Sequence, residues 1–309
     1  MSILSYQGEF ICQGTPKIGE KFSHVANRHP CFSGEANINH GRIHLPVSPA
    51  CNIRCRFCNR VFNRTEERPG VSAALLRPEE SLDLIRRALE MCPEITVAGI
   101  AGPGDTLATG HAIETFELIH EAYPDLINCL STNGLLLERY ADDLHRVGVS
   151  TLTVTVNAVD PVILDKICAG IVLDGKNYEG PEAASILIEA QKRGIKKAAD
   201  LGMLVKINIV LVPGVNGEHI GEIARTTAAL GAGICNIIPL IPQFEFAGAE
   251  APDCIELAKA REAAEEFLPV FRHCQHCRAD AVGIPGKKDL SSLLYELGVS
   301  HAEQTFSHG

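Results

Sequence analysis

The stretch RIHLPVSPACNIRCRFCNR, residues 42–60, decides the fold because it joins a short apolar strand to three closely spaced cysteines. Cys51, Cys55 and Cys58 directly follow the predicted strand 42–48, so they lie in a loop at the carboxyl end of that strand. Enzymes built from β-α units form their sites at this edge. Four irons held by three thiolates leave one iron free for another ligand. The spacing therefore predicts an iron–sulfur cluster with one open iron.

A zinc site, or three unrelated buried thiols, is the alternative interpretation of this loop. Structural zinc usually has four ligands contributed by paired C-x-x-C elements. No second pair lies near Cys51, Cys55 and Cys58 in the sequence, so an iron–sulfur cluster is favoured.

The sequence beyond this stretch alternates β-branched runs with segments of helical period, as repeated β-α units do. Strands are predicted at 42–48, 94–102, 127–134, 151–159, 204–214 and 233–242. Helices are predicted at 77–92, 111–123, 136–148, 180–194, 217–231 and 254–268. Six units with right-handed crossovers give either an open doubly wound sheet or an incomplete barrel, and the count alone does not choose between them.

The composition argues against several classes of function. A hydrophobic content of 46% with 21% charged residues is that of a globular chain and not of a disordered one. The net charge of -10 argues against a nucleic-acid partner, because such proteins carry a basic surface. The first thirty residues do not resemble a signal peptide, and no apolar run reaches the roughly 18 residues of a membrane helix. We expect a cytoplasmic protein with no membrane partner.

Twelve cysteines without a secretory signal are more consistent with reduced thiols or metal ligands than with disulfides. Five of them stand out as further candidate ligands: Cys12, Cys31, Cys129, Cys274 and Cys277. The last two form a C-x-x-C pair suited to two corners of a metal site. Cys129 lies on the third predicted strand, where alternation can point it into a barrel. The remaining four are expected to be small buried hydrophobic residues: Cys92, Cys168, Cys235 and Cys254.

Small and polar residues follow the second, third and fourth predicted strands. AGIAGPGDTL (98–107) contains two glycines whose missing side chains let backbone groups approach a ligand closely. The candidates at these strand ends are Gly102, Gly104, Asp105, Ser131, Asn133, Thr155 and Asn157. Turn chemistry alone would account for each of them. Their shared position at strand ends predicts a binding site suited to a nucleoside.

The C-x-x-x-C-x-x-C motif after a first strand resembles the radical S-adenosylmethionine (SAM) superfamily. The resemblance implies an α/β fold, a partial (β/α)6 TIM-like barrel, which we assign to residues 42–268. It also implies that the open iron of a 4Fe-4S cluster binds the amino and carboxylate groups of SAM, and that a reducing electron cleaves SAM to a 5′-deoxyadenosyl radical. Gly102 and Gly104 occupy the place of the superfamily's glycine-rich segment.

Four longer stretches are similar to the NifB family of nitrogenase cofactor maturases. They cover residues 29–60, 67–71 (ERPGV), 99–105 (GIAGPGD) and 272–283 (RHCQHCRADAVG). The resemblance implies synthesis of the eight-iron carbide core that precedes the nitrogenase cofactor. In this reaction SAM supplies the carbon as a methyl group, and two auxiliary 4Fe-4S clusters are coupled around it with an added sulfur.

The same resemblance implies cluster-binding extensions, which we place at residues 1–41 and 269–309. We assign His24, Cys31 and Cys129 to one auxiliary cluster. We assign Cys12, Cys274 and Cys277 to the other. A lone histidine is more often structural than a ligand, so His24 depends on the resemblance, and five further histidines are left unassigned: His29, His40, His44, His273 and His276.

Glu66 matches a family position and is expected to position SAM or a cluster in transit, with a solvated charge run as the alternative. The implied partners are SAM, iron–sulfur cluster donor proteins, a reductant such as ferredoxin, and a scaffold protein of the NifEN type that accepts the product.

Two departures from the family pattern stand out. Residues 61–67 (VFNRTEE) contain no cysteine where many members have one. Only about thirty residues follow Cys277, whereas longer members have a further domain there, so we expect the short stand-alone form of the family. The alternatives left open are a radical SAM enzyme that modifies peptide or RNA and a non-catalytic iron–sulfur carrier.

Overall fold

Six parallel strands form the centre of the computed structural model, which describes residues 22–296 and 307–308. These strands are β1 (Gly41–His44), β2 (Ile95–Ile100), β3 (Ile127–Thr132), β4 (Val149–Thr155), β5 (Leu204–Leu211) and β6 (Ile234–Pro239). Each strand pairs in parallel with the next one along the chain. A doubly wound sheet would reverse its strand order at a switch point. The unreversed order confirms the predicted barrel type.

A helix of ten or more residues follows each strand. These helices are α1 (Ser81–Met91), α2 (His111–Ala122), α3 (Leu137–Arg146), α4 (Gly180–Asp200), α5 (Ile220–Ala229) and α6 (Cys254–Glu265). Shorter helices cover Ser23–Ala26, Gly34–Asn39, Pro161–Asp165 and Ser291–Glu296. The side chain of Asp253 caps α6 by accepting hydrogen bonds from the N–H groups of Ile255 and Glu256. All six predicted helices are confirmed.

The C-terminal segment extends the sheet at the β1 edge. Val282–Ile284 pairs antiparallel with β1, and Lys288–Asp289 pairs with that strand in turn. At the other edge, Cys235 of β6 forms a bridge with Val270. The predicted segment boundaries at residues 41 and 269 stay predictions, and residues 1–21, Cys12 among them, lie outside the described part of the chain.

A three-stranded antiparallel sheet lies beside the barrel. The hairpin Cys168–Leu173 and Lys176–Glu179 turns through Asp174 and Gly175, both with positive φ, as a two-residue hairpin loop requires. Its first strand also pairs with Ile53–Cys55. The hairpin therefore supports the three-cysteine loop from one side.

Alternation along β5 shows how the strands separate the core from the barrel interior. Val205, Ile207 and Ile209 are fully buried in the main hydrophobic core. Lys206 and Asn208, on the other face of the strand, line a cavity inside the barrel. The core therefore lies outside the sheet, and the interior is left for polar and thiol groups. Within the described residues, no helix is both long and apolar enough to cross a bilayer.

Candidate metal centre

A cavity of about 330 Å³ extends from the carboxyl ends of the strands through the barrel interior. Its wall includes the three-cysteine loop and thiols from the N-terminal segment, from β3 and from the C-terminal segment. The predicted ligands that line it are Cys31, Cys51, Cys55, Cys58, Cys129, Cys274 and Cys277. The fold thus brings together every cysteine that the sequence analysis selected among the described residues.

Local backbone pairing shapes the three-cysteine loop. Cys55 pairs with Cys168 across the antiparallel sheet, and the N–H of Cys58 donates to the carbonyl of Cys55 at 3.0 Å. Burial raises the pKa of Cys51 to about 12, against the opposing charge of Arg60. Burial lowers the pKa of Arg60, but the nearby thiols of the loop raise it by more, so that the pKa of Arg60 is raised overall. Three soft sulfur donors beside one cation suit an anionic iron–sulfur cluster.

The segment after β2 fastens this loop to the barrel. The N–H of Gly104 donates to the carbonyl of Ser48 at 2.7 Å, and that of Asp105 donates to the carbonyl of Ala50 at 2.8 Å. A Cβ atom on Gly104 would lie 2.0 Å from the Ala50 oxygen. The missing side chain therefore admits the backbone of the cysteine loop, and a role of Gly104, which lines the cavity, in binding a ligand stays a prediction. Gly102, with φ of 129°, is not among the residues that line the cavity.

Asp105 and Asn133 form a buried polar network at the ends of β2 and β3. The Asp105 carboxylate accepts from the hydroxyl of Thr132 at 3.0 Å and from the N–H groups of Asn133 and Leu107 at 2.6 and 3.0 Å. Burial raises the pKa of Asp105. The Asn133 amide donates to Asn52 Oδ1 at 2.7 Å, inside the three-cysteine loop. The hydrogen bonds of both side chains are therefore made within the protein and connect the ends of β2 and β3 with the three-cysteine loop.

The other predicted nucleoside-binding residues line the cavity. Ser131 and Thr155 contribute half-buried side chains to its wall. The Asn157 side chain accepts from the N–H of Val210 at 2.9 Å and so joins the ends of β4 and β5. Ser131 and Thr155 are therefore better placed than Asn157 to contact a ligand.

Glu66 is not among the residues that line the cavity. Its carboxylate pairs with Arg68 at 2.6 Å and accepts from Asn63 at 2.7 Å, and its side chain is 45% exposed. The buried Arg278 donates to the backbone carbonyls of Glu66 and Asn63 and pairs with Asp280 at 2.8 Å. This network ties the loop to the C-x-x-C segment, and a role for Glu66 in positioning SAM stays a prediction.

The candidate auxiliary ligands come from different parts of the chain. Cys31 lies between two short helices, Cys129 lies on β3, and Cys274 and Cys277 lie in an irregular segment before Val282. Burial raises the pKa of Cys31 to about 12 and that of Cys129 to about 11. Within the described residues, no three Cys, His, Asp or Glu side chains converge as they would around a single metal ion. In a cubane, by contrast, each thiolate reaches a different iron.

Three histidines line the cavity, and His24 is not among them. His24 lies exposed on Ser23–Ala26. His44 Nδ1 lies 3.0 Å from the Arg278 carbonyl, which can only accept, so Nδ1 carries the proton and Nε2 keeps its lone pair. His29 Nδ1 accepts from the N–H of Cys31 at 3.1 Å, so its proton lies on Nε2. His44 therefore lines the cavity with an unprotonated Nε2, which is the form of imidazole that can bind a metal. The third histidine of the cavity wall is His276.

The four unassigned cysteines behave differently from one another. Cys92, Cys168 and Cys235 are buried, as predicted. The prediction is wrong for Cys254, which is exposed because it is the first residue of the surface helix α6. The sequence analysis did not identify Cys168 as a neighbour of the site. A hydrogen bond between the thiols of Cys168 and Cys55, together with burial, raises the pKa of Cys55. The hairpin that brings them together carried no sequence signal beyond its Asp-Gly turn.

Residues 45–227 match the model of the radical SAM superfamily. The match begins just after β1 and includes the three-cysteine loop, the ends of β2 to β4, and β5. This chain is therefore a radical SAM enzyme. Such enzymes use a 4Fe-4S cluster and SAM, and the three thiols of the loop suit that cluster.

Solved structures share the fold at low identity. Methylornithine synthase superposes with a TM-score of 0.52 and 13% identity over 92% of this chain and 89% of that one. A radical SAM methyltransferase from Sphaerobacter thermophilus gives a TM-score of 0.51 at 19% identity, over 74% and 64% of the two chains. These likenesses support the partial barrel.

Curated relatives are much closer in sequence. The FeMo cofactor biosynthesis protein NifB of Methanocaldococcus infernus is 48% identical over 87% of this chain and 90% of its own length. That of Methanocaldococcus jannaschii is 47% identical over 85% and 88%. The Klebsiella pneumoniae protein is 44% identical over 88% of this chain but only 59% of its own length, so it is longer, whereas the archaeal proteins are of similar length. The chain belongs to the NifB family of FeMo cofactor biosynthesis proteins within the radical SAM superfamily.

Proposed function

We propose that this chain assembles the eight-iron carbide core that precedes the nitrogenase cofactor. Its substrates are two 4Fe-4S clusters and SAM, whose methyl group supplies the central carbon. One observation supports this most strongly: the three-cysteine loop shares one cavity with the four other candidate ligand thiols of the described residues, which come from three separate segments. Clusters held there lie within reach of chemistry that starts at the loop.

The residues of the loop bind and position the SAM-cleaving centre. When bound, the cluster supplies the electron that cleaves SAM reductively to a 5′-deoxyadenosyl radical. Cys51, Cys55 and Cys58 hold it, and Arg60 offsets its negative charge. Ser131 and Thr155 contribute polar groups for the nucleoside.

The auxiliary thiols divide by position. The charge of Lys206 acts on both Cys31 and Cys129, and Cys31 is also coupled to Cys277, Cys129 and Cys274. We group Cys31 with Cys129 in one cluster, as the resemblance implies. Cys274 and Cys277 are neighbours in the C-terminal segment, and we group Cys12 with them, as the resemblance implies.

We propose His44, in place of His24, as the imidazole ligand of the cluster bound by Cys31 and Cys129. Metal-binding histidines commonly donate their other ring N–H to a backbone carbonyl, and His44 does this to Arg278. Burial lowers the pKa of His44 to about 4, which keeps the imidazole neutral. Replacing His44 with Ala should remove the nitrogen coupling seen by pulsed electron paramagnetic resonance (EPR) on one auxiliary cluster, while replacing His24 should not.

Release of the product requires ligand-bearing segments that open. Cys31, Cys274 and Cys277 lie on irregular segments outside the six barrel strands. Such segments open at a lower free-energy cost than paired strands. We propose that these segments face the protein partners: cluster donor proteins, a reductant such as ferredoxin, and a scaffold protein of the NifEN type that accepts the product.

Anaerobic iron counting combined with methyl-labelled SAM tests the proposal. The reconstituted protein should bind about twelve irons and move label into an acid-labile cluster. Cys55→Ala should lose about four irons and all SAM cleavage. Cys277→Ala should lose about four irons, still cleave SAM and transfer no carbon to a cluster.

Replacing the exposed Cys254 with Ala is the matched control and should change neither iron content nor labelling. Label found in a peptide or an RNA, with auxiliary clusters intact after turnover, would favour a modifying enzyme. Failure to cleave SAM on reduction would indicate an iron–sulfur carrier.

A further inference from the structure

Lys206 is a buried cation inside the barrel. It lies on β5 with 4% of its surface exposed and lines the central cavity. Its Nζ donates to the carbonyl of Cys31 at 2.9 Å and lies over the rings of Phe32 and Phe271, at 5.4 and 4.6 Å from their centroids. The ammonium is thus directed at the loop that carries Cys31.

Among the described residues, no carboxylate lies within ion-pair distance of Lys206. An unpaired ammonium in a desolvated site is costly, and aromatic faces and one carbonyl offset only part of that cost. By contrast, the charge of the deeply buried Arg278 is paired with that of Asp280. Within the described part of the chain, Lys206 is therefore a buried cation without an anionic partner.

The groups around Lys206 indicate where that anion forms. Lys206 lines the same cavity as Cys31 and Cys129, and its Nζ donates to the carbonyl of Cys31. A 4Fe-4S cluster held by thiolates has a net negative charge, and a nearby cation stabilises its reduced, more negative form.

We propose that Lys206 is the counter-charge of the auxiliary substrate cluster bound by Cys31 and Cys129, and that it positions the Cys31 loop against β5. This inference rests on the proposed function. A guanidinium has the corresponding place at the other auxiliary site, where Arg42 Nη2 donates to Cys277 Sγ at 3.2 Å. Lys206 is thus a positioning residue whose charge stabilises the site when an anionic cluster is bound. Without iron, the same unpaired charge lowers the stability of the folded protein.

Lys206→Met separates the two effects because methionine keeps the length of the chain and removes the charge. Without iron, Lys206→Met should unfold at a higher temperature than the wild type, since a buried unpaired charge is replaced by an apolar group. With iron, one auxiliary cluster should titrate at a more negative midpoint potential in an EPR-monitored redox titration. A chelator should remove that cluster about tenfold faster, the size of effect expected for one lost charge-assisted hydrogen bond.

Lys206→Arg should restore the midpoint potential, and the exposed Lys196→Met should match the wild type in every measurement. The potentials of the SAM-binding cluster should be equal in all four proteins. An iron-free Lys206→Met protein that melts at a lower temperature, with unchanged cluster potentials, would show that the lysine only supports the fold. A wild type that binds only about four irons would instead refute the auxiliary clusters themselves, and with them the proposed function.

Discussion

Replacing Gly104 with Ala tests whether the segment after β2 sets the position of the three-cysteine loop. The new Cβ would lie 2.0 Å from the Ala50 oxygen and 2.8 Å from the Ser48 oxygen, both backbone atoms. Even a tight contact of 3.0 Å requires a displacement of about 1 Å. The same two carbonyls accept the hydrogen bonds from Gly104 and Asp105. The loop therefore cannot move away without losing its attachment to the barrel.

The energetic cost has two parts. Overpacking costs about 1–3 kcal/mol, and each weakened hydrogen bond costs about 1 kcal/mol. Iron-free Gly104→Ala should thus be about 3–5 kcal/mol less stable in urea denaturation. At the site, a displacement of about 1 Å should lower the rate of SAM cleavage about 100-fold.

Chromatographic measurement of 5′-deoxyadenosine under anaerobic reduction reports on that rate, and iron counting reports on occupancy. Gly110→Ala is the matched control in the same connection, because no atom lies within 4 Å of its Cβ position and its φ of -74° suits alanine. Gly110→Ala should cleave SAM at nearly the wild-type rate. A folded Gly104→Ala protein with full iron and wild-type SAM cleavage would refute the reasoning.

Three further predictions concern the iron-free protein and its loading. Asp105→Ala removes the acceptor of three buried hydrogen bonds and should lower the free energy of unfolding by about 3 kcal/mol, measured with urea. Because burial raises the pKa of Cys31 and Cys51 to about 12, reconstitution near pH 7 should release about three protons at the three-cysteine loop and about two at the cluster bound by Cys31, Cys129 and the neutral His44, measured in a pH-stat. The pKa of Cys129 is raised from 9.0 to about 11, so the stability that its protonated thiol contributes, about 3 kcal/mol, should be lost between these pH values. Cys129→Ser should remove that loss from alkaline denaturation curves, while Cys254→Ser should retain it.

The elements of the barrel were predictable because each carries a strong local signal. β5 alternates apolar and polar residues, and α4 starts at a glycine–proline pair and keeps a helical stripe over 21 residues. The choice between barrel and doubly wound sheet was not a local property. That choice depends on which strands pair with each other, and only the structure or the family resemblance gives the order of pairing.

The site was predictable as a set of residues but not as a set of contacts. The cysteines were selected by their spacing and by the family resemblance, and the described ones do line one cavity. His44 was passed over because a histidine on a strand is usually structural, and only the Arg278 carbonyl opposite its Nδ1 shows its tautomer. Lys206 gave no signal in the sequence, since a lysine within an apolar strand looks the same whether it is exposed at an edge or enclosed.

The cations that lie near the thiols of the cavity connect the stability of the folded protein to the binding and release of its clusters. Without iron, the chain encloses thiols next to Arg60, Arg42 and Lys206, three cations that lie close to thiols or to the loops that carry them. Lys206 has no anionic partner among the described residues and gains one beside an anionic cluster, so binding of that cluster relieves a cost built into the folded protein. In the proposed reaction the protein gives its clusters away as product and returns to that less favourable state. Release therefore requires a compensating interaction, and a partner that binds the Cys31 and Cys274–Cys277 segments in their open form would supply it.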